Sequence, residues 1–482
     1  MIESLEASAK FRSDRIARYA PLLTMLASYF FLTVLMNVVF VAYDDQSATS
    51  SIGVFLISAF PVQTAGYWIL LFLPFLLLPP VAIIFQRILA RPARMLAAWT
   101  PEFRLCDYLV ITAVCYGIVI RGMYRADAWE LLASASDAIS SVWARFELLD
   151  RLQFFEQAIL QSVLVFLTLY SLVYALRWRK LTWLSLFAVN LIAMTVLLVS
   201  LNMKWPVVVL YGGIVACVGL YGQHRVIYAT IAAVAMVCVY LLVAAMVLRI
   251  PQTSRPGPSP SPAIVLEKNV PTEKNAAGRK SAAAGKAIAE QGAVAVEKLV
   301  RAAVSSSSHL ATTGLIRMAL PYPYYYRTFT NDGPVCGTLW DRVLRRQNPC
   351  QPSLLVYEKM FKNDGFAGRG TAPAAFHITG YALDGWLGAI IETIFAGALI
   401  GAFMAVPVQA SAVSATAVVM GILSGYFLSQ LPFEAAIVYD HGVLWWLLLV
   451  LCYAGARHLF WPLDRNAAKV EEIGLADELR LP

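Results

Sequence analysis

Ten runs of about twenty residues, nearly free of charge, divide this sequence and restrict it to one kind of solvent. A helix needs about 20 apolar residues to cross the hydrocarbon core of a bilayer. Runs of that length lie near 20–42, 66–87, 106–124, 156–176, 181–200, 205–222, 226–249, 382–404, 411–430 and 441–461. Of the 482 residues, 59% are hydrophobic and 14% charged, where a soluble chain carries about 25% charged residues. The mean hydropathy is +0.65. The expected fold class is an all-α integral membrane protein with about ten transmembrane helices and one large outward loop between the seventh and eighth. The first run begins near Pro21, exceeds a signal-peptide core in length and lacks a small-residue cleavage site, so it reads as the first span. The apolar stretch 51–60 is too short to cross and reads as interfacial or re-entrant.

Orientation follows from Lys and Arg in the short loops. Lys10, Arg12, Arg15 and Arg18 precede the first span. Arg87, Arg91, Arg94 and Arg104 follow the second, Arg177, Arg179 and Lys180 the fourth, and Arg457, Arg465 and Lys469 the tenth. The loop after the first span has only Asp44 and Asp45 near it. Both termini are therefore expected in the cytoplasm, and the large loop outside. Residues 251–380 hold sixteen Lys/Arg and eight Asp/Glu, which is the whole net charge of +8. A basic outward loop suits an anionic partner, a diphosphate or a lipid headgroup rather than nucleic acid. A basic surface arising by chance is the plainer alternative.

The chain divides into 1–250 with the first seven spans, 251–309, 310–381, and 382–482 with the last three spans and a tail. Residues 251–272 include SRPGPSPSP and read as an extended linker. Residues 273–304 are rich in Ala, Lys and Glu and read as a spacer or a surface-lying helix. The segment 310–381, with its aromatic residues, Pro and Gly, is expected to be ordered. Cys336 and Cys350 lie within it and are expected to pair in an oxidising compartment, two free thiols being the alternative. The five other cysteines lie in apolar runs as packing residues. No CxxC or His/Cys cluster points to a metal, and no cofactor is expected.

Charges at outward helix ends carry the chemistry that can be read. Lys204 sits in the tight turn NMKWP between the fifth and sixth spans, where topology needs no Lys. Arg121, Arg125, Glu434, Asp440 and His441 also fall near the outer interface, where a snorkelling or boundary role is the plainer reading. In IRMALPYPYYYRTFTNDG (316–333), Arg317 and Arg327 flank a Pro/Tyr cluster. Guanidinium groups grip phosphate oxygens bidentately and aromatic rings stack on sugars, so the segment suits a phosphosugar; an interfacial aromatic belt is the alternative. In 371–403, His377, Tyr381 and Asp384 lead into a span with Gly397 and Gly401 at GxxxG spacing, repeated by Gly421 and Gly425, which permits close helix packing.

These two segments resemble the oligosaccharide repeat-unit polymerases of bacterial O-antigen and capsule. Those proteins often show an Arg, a short apolar stretch, a Pro, a Tyr pair and a Phe, matched here by Arg317, Pro321, Tyr325, Tyr326 and Phe329. They also show an aromatic, an acidic or Asn position and two glycines opening a helix, matched by Tyr381, Asp384, Gly385 and Gly388. The Lys204 turn is similar to their basic residue at the outer end of a middle helix. Gly380 stands where an acidic residue is often found, and 251–304 has no counterpart.

The resemblance implies a metal-independent membrane glycosyltransferase in the bacterial inner membrane with a periplasmic loop. A growing glycan on undecaprenyl diphosphate would pass to an incoming lipid-linked repeat unit, with a chain-length regulator and a flippase as possible partners. Arg317, Arg327 and Lys204 would bind the diphosphate, His377 or Asp384 would act as base or its orienting partner, and Tyr324, Tyr325, Tyr326 and Tyr381 would line the sugar site. A ligase passing finished glycan to another acceptor and a transporter of the lipid-linked oligosaccharide are the competing readings.

Overall fold

Lipid offers the backbone no hydrogen-bond partner, so a chain that crosses it must close its own bonds. The computed structural model describes residues 2–42, 64–134, 138–201, 204–222, 225–246, 318–338, 341, 350–360 and 370–460. Among these residues the structure is all helix and connecting turns, with no strand. The stretch 51–60, the segment 251–304, Arg317 and the chain beyond 460 lie outside them.

The first half contains α1 (Ile2–Tyr29), which runs through a π-helical turn (Phe30–Val34) into α2 (Leu35–Ala42), then α3 (Ala65–Trp99), α4 (Leu105–Arg125), α5 (Ala128–Ser134) and α6 (Ala138–Arg151). Next, α7 (Phe154–Ala158) passes through a second π-turn (Ile159–Val163) into α8 (Leu164–Trp178), followed by α9 (Leu181–Ser200), α10 (Lys204–Tyr221) and α11 (Arg225–Met246). The second half contains α12 (Pro321–Asn331), α13 (Pro352–Met360), α14 (Phe376–Ala405), α15 (Ala412–Leu428), α16 (Phe433–Val438) and α17 (Val443–Phe460).

Seven helical stretches are long and apolar enough to cross a membrane: Ile16–Val38, Ala65–Trp99, Leu105–Arg125, Phe154–Trp178, Leu181–Val199, Phe376–Ala405 and Phe433–Phe460. Three shorter apolar helices, Pro206–Tyr221, Val226–Val239 and Ala412–Leu428, stand where the other spans are expected. The chain is thus an all-α, multi-pass membrane protein. Its 35-residue α3 rises about 50 Å, well beyond a hydrocarbon core of about 30 Å. Its last turns, which carry Arg87, Arg91 and Arg94, run on alongside α14, α15 and α17, where Trp99 O lies 2.8 Å from His458 Nε2.

Small residues set the helix contacts. A Cβ on Gly397 would lie 2.6 Å from Val81 Cγ1, and one on Gly401 would lie 2.6 Å from Ala82 O. Gly425 abuts the Pro21 carbonyl of α1 in the same way. The spaced glycines of α14 and α15 therefore serve packing inside the chain. Ser411 caps α15 by accepting from Ser414 N at 3.0 Å.

The eighth expected span, 382–404, differs from the structure at its start. Helix begins at Phe376, and the backbone leaves helical geometry at Asp384 (φ −132°, ψ 24°) and Gly385 (φ 60°, ψ −141°). In a straight helix Gly380 and Gly388 would be about 12 Å apart along the axis. Instead a Cβ on Gly380 would lie 2.5 Å from Gly388 O and 2.6 Å from Glu392 Cγ. The chain therefore reverses at Asp384–Gly385. The arm Phe376–Leu383, every residue of which is buried, folds back against the span that follows. Hydropathy has no sign for chain direction, which is why the arm reads as loop in the sequence and the boundary at 381/382 cuts through it.

In the loop, Cys336 and Cys350 form a disulfide, as the compartment argument expects. Lys359 Nζ lies 2.9 Å from Asp332 Oδ2 and ties α13 to the end of α12. A Cys336→Ser/Cys350→Ser double variant is expected to lose about 3 kcal/mol of order in this segment. Limited proteolysis of the purified protein near Lys359 would read that loss; cleavage no faster than wild type would count against it.

Candidate active site at the tyrosine end

The sequence of α12 is built to lie on a surface. Pro321 and Pro323 occupy the first turn, where a missing N–H costs nothing. Tyr322, Tyr325, Tyr326 and Phe329 then recur at helical spacing and are buried, while Arg327, Thr330 and Asn331 are exposed.

The buried face docks on the start of α3 and on the folded-back arm. Tyr67 meets Tyr322 and Tyr326 edge-on, with centroids 4.8 and 5.4 Å apart. Tyr326 stacks on Tyr381 at 5.7 Å and 13°. Every hydroxyl in the cluster is satisfied. Tyr322 donates to the Tyr67 carbonyl. Tyr325 donates to the Ala372 carbonyl at 3.2 Å. Tyr326 accepts from Thr64 Oγ1 at 3.2 Å, and Tyr381 bonds Thr330 Oγ1 at 2.9 Å. Tyr67 donates to Asn37 Oδ1 at 2.8 Å, and Asn37 Nδ2 donates to Ala319 O at 3.2 Å. The cluster clamps α12 to the first two spans.

Asn37 is the node of this clamp and is buried. Asn37→Ala strips partners from the Tyr67 hydroxyl and the Ala319 carbonyl, and is expected to cost about 1–3 kcal/mol. A lowered melting temperature in detergent would show it, and an unchanged one would refute it.

The four tyrosines expected at a sugar site are thus divided. Tyr325, Tyr326 and Tyr381 are buried in the clamp with their faces covered, and only Tyr324 is half-buried at the surface. Burial pushes the Tyr324 phenol up to about 12, against the opposing pull of the Arg327 charge. Tyr324 therefore remains a protonated hydrogen-bond donor at neutral pH, beside an exposed guanidinium.

His377 does not lie at an outward mouth. It is fully buried in the arm, its Nε2 3.1 Å from the Tyr29 hydroxyl. That hydroxyl donates to Leu71 O at 3.0 Å. Its single hydrogen being spent there, it accepts from His377, which assigns the proton to Nε2. Among the described residues Nδ1 has no hydrogen-bond partner. His377 anchors the arm to α1 beside the π-turn, away from solvent. Asp384 stands at the reversal and is partly exposed, so it, and not His377, can meet a ligand at this face. Lys204 opens α10, but its side chain, like Arg317, lies outside the described residues.

The structure also builds a second polar centre, which the sequence reading took for boundary charges. His441 Nδ1 lies 2.8 Å from Asp440 Oδ1, and Gln161 Nε2 donates to Asp440 Oδ2 at 2.5 Å. Ser162 Oγ donates to Gly442 O at 2.8 Å. The π-turn in the α7–α8 span aims Gln161 and Ser162 at this loop, a common use of such turns. The missed signal was a Gln–Ser pair inside an apolar run. Arg125, by contrast, is engaged with buried Glu156 at 2.8 Å.

Among the described residues no cluster of three or more His, Cys, Asp or Glu could hold a metal. The chain matches no family model, no curated protein and no solved structure.

Proposed function

We propose that this protein is a polymerase of lipid-linked oligosaccharide repeat units, a glycosyltransferase acting at the periplasmic face of a bacterial inner membrane. Ten spans with both termini in the cytoplasm would make the tyrosine end the periplasmic one. The supporting observation is Arg327, an exposed guanidinium without a carboxylate partner among the described residues, on a helix that the tyrosine clamp fixes at the mouth of the bundle. In this reading Arg327, with Arg317 and Lys204, holds the diphosphate of the donor, and Tyr324 hydrogen-bonds beside it. A carboxylate at Asp384 takes the proton of the acceptor hydroxyl. The new C–O bond forms at the anomeric carbon as the bond to the diphosphate breaks, and undecaprenyl diphosphate leaves with the electron pair. Fixed positive charge at the leaving group is the main source of rate in such a site.

Purified protein incubated with undecaprenyl-diphosphate-linked repeat units is expected to give a ladder of products. A single transfer of preformed glycan to another acceptor would show a ligase. One observation favours transport instead: a helix broken at Asp384–Gly385, a feature transporters use at their binding sites. Repeat units trapped on the cytoplasmic leaflet of a deletion strain would establish that alternative.

A further inference from the structure

The end of the bundle opposite the tyrosines carries a cavity that neither topology nor the proposed reaction uses. It has a volume of about 540 Å³ and lies between α1, the second half of α3 and the chain leaving α14. Arg18, Arg87 and Arg94 line it, with Tyr19 and Gln86, and among the described residues no Asp or Glu lines it. Lys and Arg at helix ends are ordinary on one side of a membrane. Three guanidinium groups from two helices around one concavity are a different matter, because each raises the cost of leaving the others without a counter-ion.

The far wall of the cavity is built. Pro407, Val408 and Gln409 form it. A fourth arginine fixes that turn: Arg177 donates to Val408 O at 3.0 Å, Ser411 O at 2.8 Å and Gln409 O at 3.0 Å. Glu102 Oε1 accepts from Ala412 N at 2.9 Å just beyond. Three of the five N–H donors of Arg177 are thus committed to the backbone of this turn. Of the three lining arginines, only the Nε of Arg94 makes a bond of this kind among the described residues, to Ala90 O at 3.3 Å. Among the described residues their terminal nitrogens have no partner and remain for a ligand.

The setting identifies the ligand class. Ile16 and Leu23 on α1, and Ile84 and Ile88 on α3, are large apolar side chains exposed on neighbouring faces of the same two helices. Exposed apolar side chains of this kind suit lipid tails, which would set the mouth of the cavity at headgroup depth. We propose that Arg18, Arg87 and Arg94 form a binding site for the phosphate headgroup of an anionic membrane lipid. Guanidinium forks match phosphate oxygens bidentately, and basic pockets between spanning helices are suited to such headgroups.

The test uses the full-length protein in detergent, with thermal stabilisation by added phosphatidylglycerol, phosphatidylcholine or inorganic phosphate as the readout. Phosphatidylglycerol is expected to stabilise at about tenfold lower concentration than phosphatidylcholine. The R18Q/R87Q/R94Q variant should abolish that difference, R18K/R87K/R94K should keep most of it, and R121Q, an exposed arginine outside the cavity, should leave it intact. Should the triple glutamine variant not fold, R87Q alone is expected to shrink the difference about threefold. Equal stabilisation by both lipids in the wild type would overturn the proposal, as would a glutamine variant that keeps the full preference. Stabilisation by inorganic phosphate matching that of phosphatidylglycerol would show a soluble-anion pocket and overturn the lipid assignment.

Discussion

Gly388→Val is expected to leave little folded protein. A side chain at this position would begin inside van der Waals contact of the Gly380 carbonyl and 3.0 Å from Asp384 Cβ. The nearer obstacle belongs to the folded-back arm and is backbone, which cannot rotate away, and the other stands at the reversal. Overpacking a core usually costs about 1–3 kcal/mol, and backbone against backbone falls at or above the top of that range. The arm would have to separate from its span, uncovering His377 and Tyr381 together. Folded yield and melting temperature in detergent are the measurements. Gly117, with nothing within 4 Å of its Cβ position, provides the control: Gly117→Ala should stay within about 0.5 kcal/mol of wild type. A Gly388→Val protein that melts like wild type would mean that the chain does not reverse at Asp384–Gly385.

Arg327→Ala is expected to have the opposite profile, with a stable protein and little activity. The side chain is exposed, so its removal should change stability by no more than about 0.5 kcal/mol. If it neutralises the departing diphosphate, its loss should slow chain extension by about 10²–10³-fold, the usual cost of one charge-stabilising group. Rate of ladder formation by purified protein is the readout. Arg327→Lys should recover part of the rate, because a point charge replaces a bidentate fork. Wild-type extension by the alanine variant would remove Arg327 from the reaction and leave the tyrosine clamp without a chemical role.

The spans were legible because lipid imposes a length and a composition on each, and both are local properties. The glycine pairs were legible for a similar reason: Gly397 and Gly401 offer a flat surface wherever α14 runs, and α3 occupies it. The Cys336–Cys350 bond followed from compartment. What stayed hidden depends on direction or on distant partners. The arm 376–383 is apolar and sits beside a span, so its hydropathy is the same whether the helix continues or turns back. Tyr325, Tyr326 and Tyr381 match a sugar platform in composition, but their hydroxyls meet partners as far away as Thr64, 262 residues from Tyr326. The basic cavity is concealed because Arg18, Arg87 and Arg94 already have a topological reading in the sequence. Their convergence on one concavity is visible only when α1 and α3 stand side by side.

The contact between Tyr29 and His377 joins residues 348 positions apart. At about 5–20 residues per second, the ribosome needs roughly 20–70 s to deliver the second after the first. Over that interval the Tyr29 and Tyr67 hydroxyls already have Leu71 O and Asn37 Oδ1 as partners, while the bonds with His377, Ala319 and Tyr322 wait for the later chain. Polar groups left in hydrocarbon are costly, so the early half of the bundle must shelter them within itself, in the insertion machinery or with a chaperone until the late half arrives. The pairs Tyr29–Leu71 and Tyr67–Asn37 supply that shelter from inside the early half, so the late spans extend a polar network already begun.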